Sequence, residues 1–290
     1  MRRRSALIFL HVPKTAGMTL RHVLASRYRP RETFVIGNDI NADIRRFVAM
    51  EAPRRERIRL LMGHMSFGLH EFLAPGARYV TVLRHPVDRV LSEYRFLKTN
   101  ARHPLHGQVA RMSLEEYLER DVSGQAANGQ TRLLSGSHES GSVGIPGRKP
   151  LDESSVARAL DNIERHFVLA GTQERFEESL LLLARRLGWR TLPFFVVRNV
   201  TGTRVSPLAE GEDARERIES FNRLDMALYR AVSELVDRAV ADAGPGFTTS
   251  LDRFVRFNAL YQGMESRRVQ YRRRFLRLAG RFLPISRSLE

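Results

Sequence analysis

Residues 5–12, SALIFLHV, form an unbroken apolar run that stops at Pro13 and passes directly into PKTAGMTL. A run whose alternate residues are apolar on both sides suits a strand covered on both faces, as in the middle of a parallel sheet flanked by helices. Beyond Gly17, residues Leu20, Val23, Leu24 and Tyr28 recur at helical spacing, so a helix follows the loop. The arginines before the run give it the outline of a signal peptide, but the apolar stretch is short and no small-residue cleavage site follows, so it reads as a buried strand. A loop that leaves a strand and opens a helix aims unpaired N–H groups and the positive helix end at one point, which suits an anion. Gly17 admits close backbone approach, Thr15 and Thr19 carry hydroxyl donors, and Lys14 adds a mobile cation.

The same pattern recurs downstream. IRLLMG (58–63), RYVTVL (78–83) and FVLAGT (167–172) read as strands, and FFVVRNV (194–200) as one more. After 78–83, Pro86 stands where a first helical residue belongs, and Val87, Val90, Leu91, Tyr94 and Leu97 make one apolar stripe. Ser113 with Glu116 fits a capping box. A helix is expected through 174–189, and residues 211–243 carry a long helical pattern. Strands alternating with helices predict an α/β, three-layer fold with a central, mainly parallel sheet flanked by helices. The glycine-rich stretch 123–150 is too long for an ordinary connection and reads as a functional or a disordered loop.

Residues 1–250 are expected to form one domain and 251–290 a basic, amphipathic helical tail. In the tail Tyr271, Phe275, Leu278 and Phe282 recur among seven arginines between Arg267 and Arg281. Such a tail suits either a helix packed on the domain with a solvated basic face or one lying on a membrane surface or acidic partner.

Composition removes several chemistries. There is no cysteine, hence no disulfide framework, thiolate metal site or cysteine nucleophile. The formal charge is +16, and of the 48 basic residues only Lys14, Lys98 and Lys149 are lysines. This reflects either an arginine-favouring composition or a surface that attracts polyanions. No stretch approaches the roughly 20 apolar residues of a membrane span, so the chain is expected to be cytoplasmic, at most peripheral to a membrane. The loop is not a Walker A motif, since its lysine precedes the glycine by three, which argues against magnesium-dependent ATP chemistry.

HVPKTAGMTL resembles the 5′-phosphosulfate loop of sulfotransferases that use 3′-phosphoadenosine 5′-phosphosulfate (PAPS), in the branch of the heparan sulfate 2-O-sulfotransferases and related carbohydrate enzymes. The resemblance implies a P-loop-like fold in which Lys14, Thr15, Ala16, Gly17, Met18 and Thr19 hold the donor and Lys14 also stabilises the leaving oxygen. VTVLRHPVDRVLSEY (80–94) resembles the 3′-phosphate segment of the family, which makes Arg84 and Ser92 the second anchor, although His85 stands where the family often has an acid. An arginine fork suits a phosphate dianion. MGHMSFGLHEF (62–72) resembles the segment carrying the catalytic histidine, which assigns the base to His64, with His70 and His11 in reserve; neutral imidazole is suited to take a hydroxyl proton. NGQTRLLSG (128–136) resembles a loop near the acceptor and RNVTGTR (198–204) a lid over the nucleotide, with Thr203 and Arg204 as donor-binding residues. The expected partners are the donor nucleotide and a hydroxyl acceptor on a glycan or glycolipid, with neither metal nor nucleic acid. A P-loop-type nucleotide or small-molecule kinase is the alternative.

Overall fold

The computed structural model describes residues 5–136, 143–147, 149–197 and 211–265. In chain order the elements are β1 (Leu7–Leu10), α1 (Gly17–Ala25), β2 (Thr33–Val35), α2 (Ile40–Val48), α3 (Ala52–Arg55), β3 (Leu60–Gly63), β4 (Arg78–Leu83), α4 (Pro86–Thr99), α5 (His106–Val109), α6 (Leu114–Arg120), α7 (Gly129–Leu134), α8 (Glu153–His166), β5 (Phe167–Thr172), α9 (Phe176–Arg186), α10 (Gly211–Phe221), α11 (Arg223–Asp242) and α12 (Gly246–Glu265). The strands form one sheet in the order β2-β3-β1-β4-β5. Every pairing is parallel: β1 pairs Leu7 with Leu60 of β3 and with Arg78 of β4, and β5 pairs Leu83 with Thr172.

The continuous apolar run of β1 has its explanation in the two cores it separates. Ile8 and Leu10 face one side with Ile44 and Phe47 of α2, Leu133 and Leu134 of α7, and Ala159 and Ile163 of α8. Leu7 and Phe9 face the other with Leu20, Val23 and Leu24 of α1, Leu180 to Leu183 of α9, and Phe247 and Phe254 of α12. Each such side chain withdrawn from water stabilises the fold by roughly 1.5–3 kcal/mol. Helix α11 supplies Leu228 and Val232 to the first core and Val236 and Ala239 to the second, so it wraps the β5 edge and covers its unpaired backbone. A separate helical cluster joins the α4 stripe to Val109, Tyr117, Leu118 and Ile218.

The structure adds one short strand and corrects three local expectations. Strand β2 is three residues of partly exposed edge, too short to show a period. Residues 194–197 form no strand; Phe195 is buried, donates its N–H to Asn258 Oδ1 at 2.9 Å and stacks edge-on against Phe176. The 211–243 pattern is two helices, parted at Asn222, whose buried amide donates to Ala126 O and Ile218 O. The glycine-rich stretch contains a buried helix, α7, where an open loop was expected. Helix α12 runs across residue 250, where the tail was expected to begin, and residues 266–290 lie outside the described residues.

Candidate active site

From β1 the chain moves to the β2 edge, whereas from β4 it moves to β5 on the opposite side, so the carboxyl ends of β1 and β4 flank the point where the winding reverses. Open α/β sheets place their ligand crevice there. The 13–16 loop leaves β1 at this point and Arg84 leaves β4 beside it; Arg84 Nη1 donates to Lys14 O at 3.3 Å.

Lys14 and Ala16 both occupy the left-handed region, at φ 68° and 59°. For residues with a Cβ this is unfavourable by roughly 1–2 kcal/mol each, and such strain clusters at ligand sites. Ala16 caps α1 with no side-chain hydrogen bond, and its carbonyl accepts the Thr19 N–H at 2.9 Å. Thr15 is buried and its hydroxyl donates to Val12 O at 2.9 Å, closing the loop on itself instead of pointing outward. Gly17 has a reason unforeseen in the sequence: a Cβ there would lie 1.9 Å from both Cδ2 and Nε2 of His11.

The Lys14 ammonium stands 4.1 Å from the centroid of Phe96 on α4. Burial lowers its pKa, Glu93 opposes that shift and Arg84 adds to it. Ser92 lies one turn before Phe96 on the same face of α4 and is partly exposed, so the loop lysine and the expected second anchor converge. Arg84 is partly buried, which lowers its pKa, against the fields of Asp88 and Glu174. Glu174, from the turn after β5, accepts the His85 N–H at 2.9 Å and the Tyr229 hydroxyl at 2.9 Å.

His64 follows β3, and its Nδ1 lies 2.8 Å from His11 O. A carbonyl only accepts, so Nδ1 carries the proton and Nε2 keeps its lone pair. The two imidazoles stack at 4.3 Å, and the His11 ring stacks in turn on Phe9. Burial lowers the His64 pKa below the usual 6.5; the bond to His11 O works against this and the charge of Arg21 with it. His11 is held lower still, by burial first and then by His64 and Arg21. His70 lies elsewhere, packed with Tyr79 and His166 near the amino ends of β4 and β5.

The structure therefore brings together Lys14, Thr15, Ala16, Gly17, Met18, Thr19, Arg84, Ser92 and His64, while Thr203 and Arg204 lie outside the described residues. Sequence reasoning missed Phe96, Glu174 and Gln130. The first sits at i+4 from Ser92 and was detectable from helical spacing; the other two act across long sequence separations.

A parallel α/β sheet with the Lys14 loop, Arg84 and His64 at its switch point defines an open α/β class whose crevice lies at that point. Within it, the chain belongs to the Galactose-3-O-sulfotransferase family, whose model matches residues 1–260. It is 27% identical over 255 residues to bovine (Bos taurus) galactose-3-O-sulfotransferase 3, covering 81% of this chain and 58% of the relative. To bovine galactosylceramide sulfotransferase it is 28% identical over 245 residues, covering 78% and 56%. The chain thus spans little more than half the length of these curated relatives. A solved mouse sulfotransferase, SULT7A1 complexed with PAP, superposes with a TM-score of 0.40 at 12% identity, covering 75% of this chain and 63% of that one.

These relatives correct two expectations. The branch is the galactose-3-O family and not that of the heparan sulfate 2-O-sulfotransferases. The cytoplasmic location is overturned, since relatives named for galactose and galactosylceramide sulfation do not go with it. Among the described residues no helix is long and apolar enough to cross a membrane, which by itself assigns no compartment. The kinase alternative is not favoured by this family.

Proposed function

We propose that the chain transfers a sulfuryl group from PAPS to a hydroxyl of a galactose-containing glycan or glycolipid. The observation that carries the reading is the pinned tautomer of His64, whose Nδ1 donates to the root of the loop that bears Lys14. That bond leaves Nε2 as an acceptor beside the donor loop, where a hydroxyl must lose its proton. The galactose assignment rests on the family and on the names of the relatives.

In this reading residues 14–19 receive the 5′-phosphosulfate, Arg84 and Ser92 hold the 3′-phosphate, and Thr203 with Arg204 closes over the nucleotide. His64 Nε2 takes the hydroxyl proton as the acceptor oxygen bonds to sulfur and the bond from sulfur to the bridging oxygen breaks. Lys14 leaves Phe96 to neutralise the charge that develops on that bridging oxygen. Fixed charges placed in advance at the reacting atoms are usually a large catalytic term.

Transfer of labelled sulfate from PAPS to galactosylceramide, galactose-terminated oligosaccharides and heparan-type chains tests this, with galactose acceptors expected to be labelled. His64→Ala should lower turnover by roughly 10²–10⁴. Lys14→Ala should also abolish transfer, whereas Arg84→Ala should chiefly weaken binding of adenosine 3′,5′-bisphosphate. Full activity in His64→Ala removes the base assignment, and tighter binding of magnesium ATP than of the bisphosphate removes the donor.

A further inference from the structure

The side chain of Gln130 is fully buried, at 0% exposure, yet spends its whole amide on one main-chain unit. Its Oε1 accepts the Arg84 N–H at 3.0 Å and its Nε2 donates to Arg84 O at 2.9 Å. This is the pairing a neighbouring strand would provide, supplied by a side chain just after β4 ends. The residue so gripped is the one whose guanidinium reaches the Lys14 carbonyl across the switch point.

Gln130 is itself fixed from behind. Asp225 on α11, also at 0% exposure, accepts the Gln130 N–H through Oδ2 at 3.1 Å and the Thr131 N–H through Oδ1 at 2.7 Å. A buried carboxylate at the start of α7, where Asn128 supplies no cap of its own, is stabilised by those two donors and by the positive helix end. Asn128 locks the two helices together: its Oδ1 accepts from Leu224 N and Asp225 N, and its Nδ2 donates to Phe221 O. A helix needing only to fill the core would present apolar groups here, because buried polar pairs add little net stability.

We infer that Gln130 is a positioning residue for donor binding that acts through Arg84, and that Asp225 sets Gln130, linking α11 to the 3′-phosphate anchor. The inference rests on the donor assignment above. The groups it orders touch the donor and not the acceptor, so its signature is a split between donor affinity and turnover.

Calorimetric binding of adenosine 3′,5′-bisphosphate to the full chain tests it, using Gln130→Leu, which removes both bonds at similar volume, and Gln130→Glu, which keeps the acceptor should the first variant not fold. Binding should weaken about tenfold, the loss of one or two buried hydrogen bonds. The KM for PAPS should rise in step, while kcat stays within about twofold. In an Arg84→Ala background the same substitutions should cost little further, because coupled residues are not additive. Wild-type affinity in a folded Gln130 variant, or a loss that adds in full to that of Arg84→Ala, overturns the inference. A wild-type chain that does not bind the bisphosphate overturns the donor assignment instead.

Discussion

Gly17 and His64 are both packed against the His11 ring. Gly17 is there because His11 fills the space a side chain would need. Gly17→Ala must therefore displace the ring on which His64 stacks, at a stability loss of about 1–3 kcal/mol typical of overpacking. Thermal denaturation together with bisphosphate titration should show both a lower Tm and weaker binding; an unchanged pair of values means that the ring moves freely. For His64, burial holds the imidazole below 6.5, so the neutral ring proposed as the base is the form present at pH 7 and above. The pH profile of kcat/KM for sulfate transfer should be level from pH 7 upward and fall on acidification, with its limb centred below 6.5. A limb above 7 contradicts the burial argument.

At the scale of elements, α4 joins the site to the helical cluster. Pro86 opens it, and its inner face carries a buried ion pair in which Arg89 Nη1 meets Glu93 Oε2 at 3.0 Å and Arg89 Nη2 donates to Gln125 O. Arg89 is at 0% side-chain exposure, so removing its partner leaves a charge with no access to water. Glu93→Ala should cost about 3–5 kcal/mol in urea denaturation, well beyond an exposed pair. Since Glu93 also raises the Lys14 pKa, the substitution should loosen the lysine electrostatically as well. The break between α10 and α11 has a comparable cause. Asn222 turns its amide back onto Ala126 and Ile218, and Asn222→Ala should cost about 1–3 kcal/mol through those orphaned carbonyls, read by the same denaturation.

Across the whole molecule, acid should be destabilising through histidines more than through surface pairs. The imidazoles of His11, His64 and His70 all have pKa values lowered chiefly by burial. A histidine depressed in the fold binds fewer protons there than in the unfolded chain, so its neutral form contributes stability that is present above the unfolded value near 6.5 and lost as pH falls below it. Tm should therefore decline from pH 7 to pH 5, and His70→Asn should lessen that decline without touching the donor site. The exposed ion pairs, such as Arg165 with Asp161 and Arg223 with Glu153, contribute little to the balance.

Local chain physics was enough for much of the architecture. The runs at 5–12, 58–63, 78–83 and 167–172 announced their strands because buried parallel strands must be apolar on both faces, and Pro86, Ser113 with Glu116 and the post-Gly17 periodicity announced their helices. The turn from β1 into α1 was legible for the same reason, since Pro13 ends the apolar run and helical spacing begins after Gly17. What stayed hidden was whatever depends on contacts between distant parts of the chain. The edge strand at 33–35 takes its conformation from pairing with β3, and residues 194–197 lose theirs to packing on Phe176 and Phe254. Gln130 meets Arg84 only because Asp225 anchors α7 from 95 residues away. The sequence by itself thus determined the four strands that it announced, β1, β3, β4 and β5, and the strand-to-helix turn after β1. Tertiary structure alone decided which tautomer of His64 faces the site, what holds Arg84 in place and where Lys14 rests, because each depends on a hydrogen bond or ring contact between segments that only folding brings together.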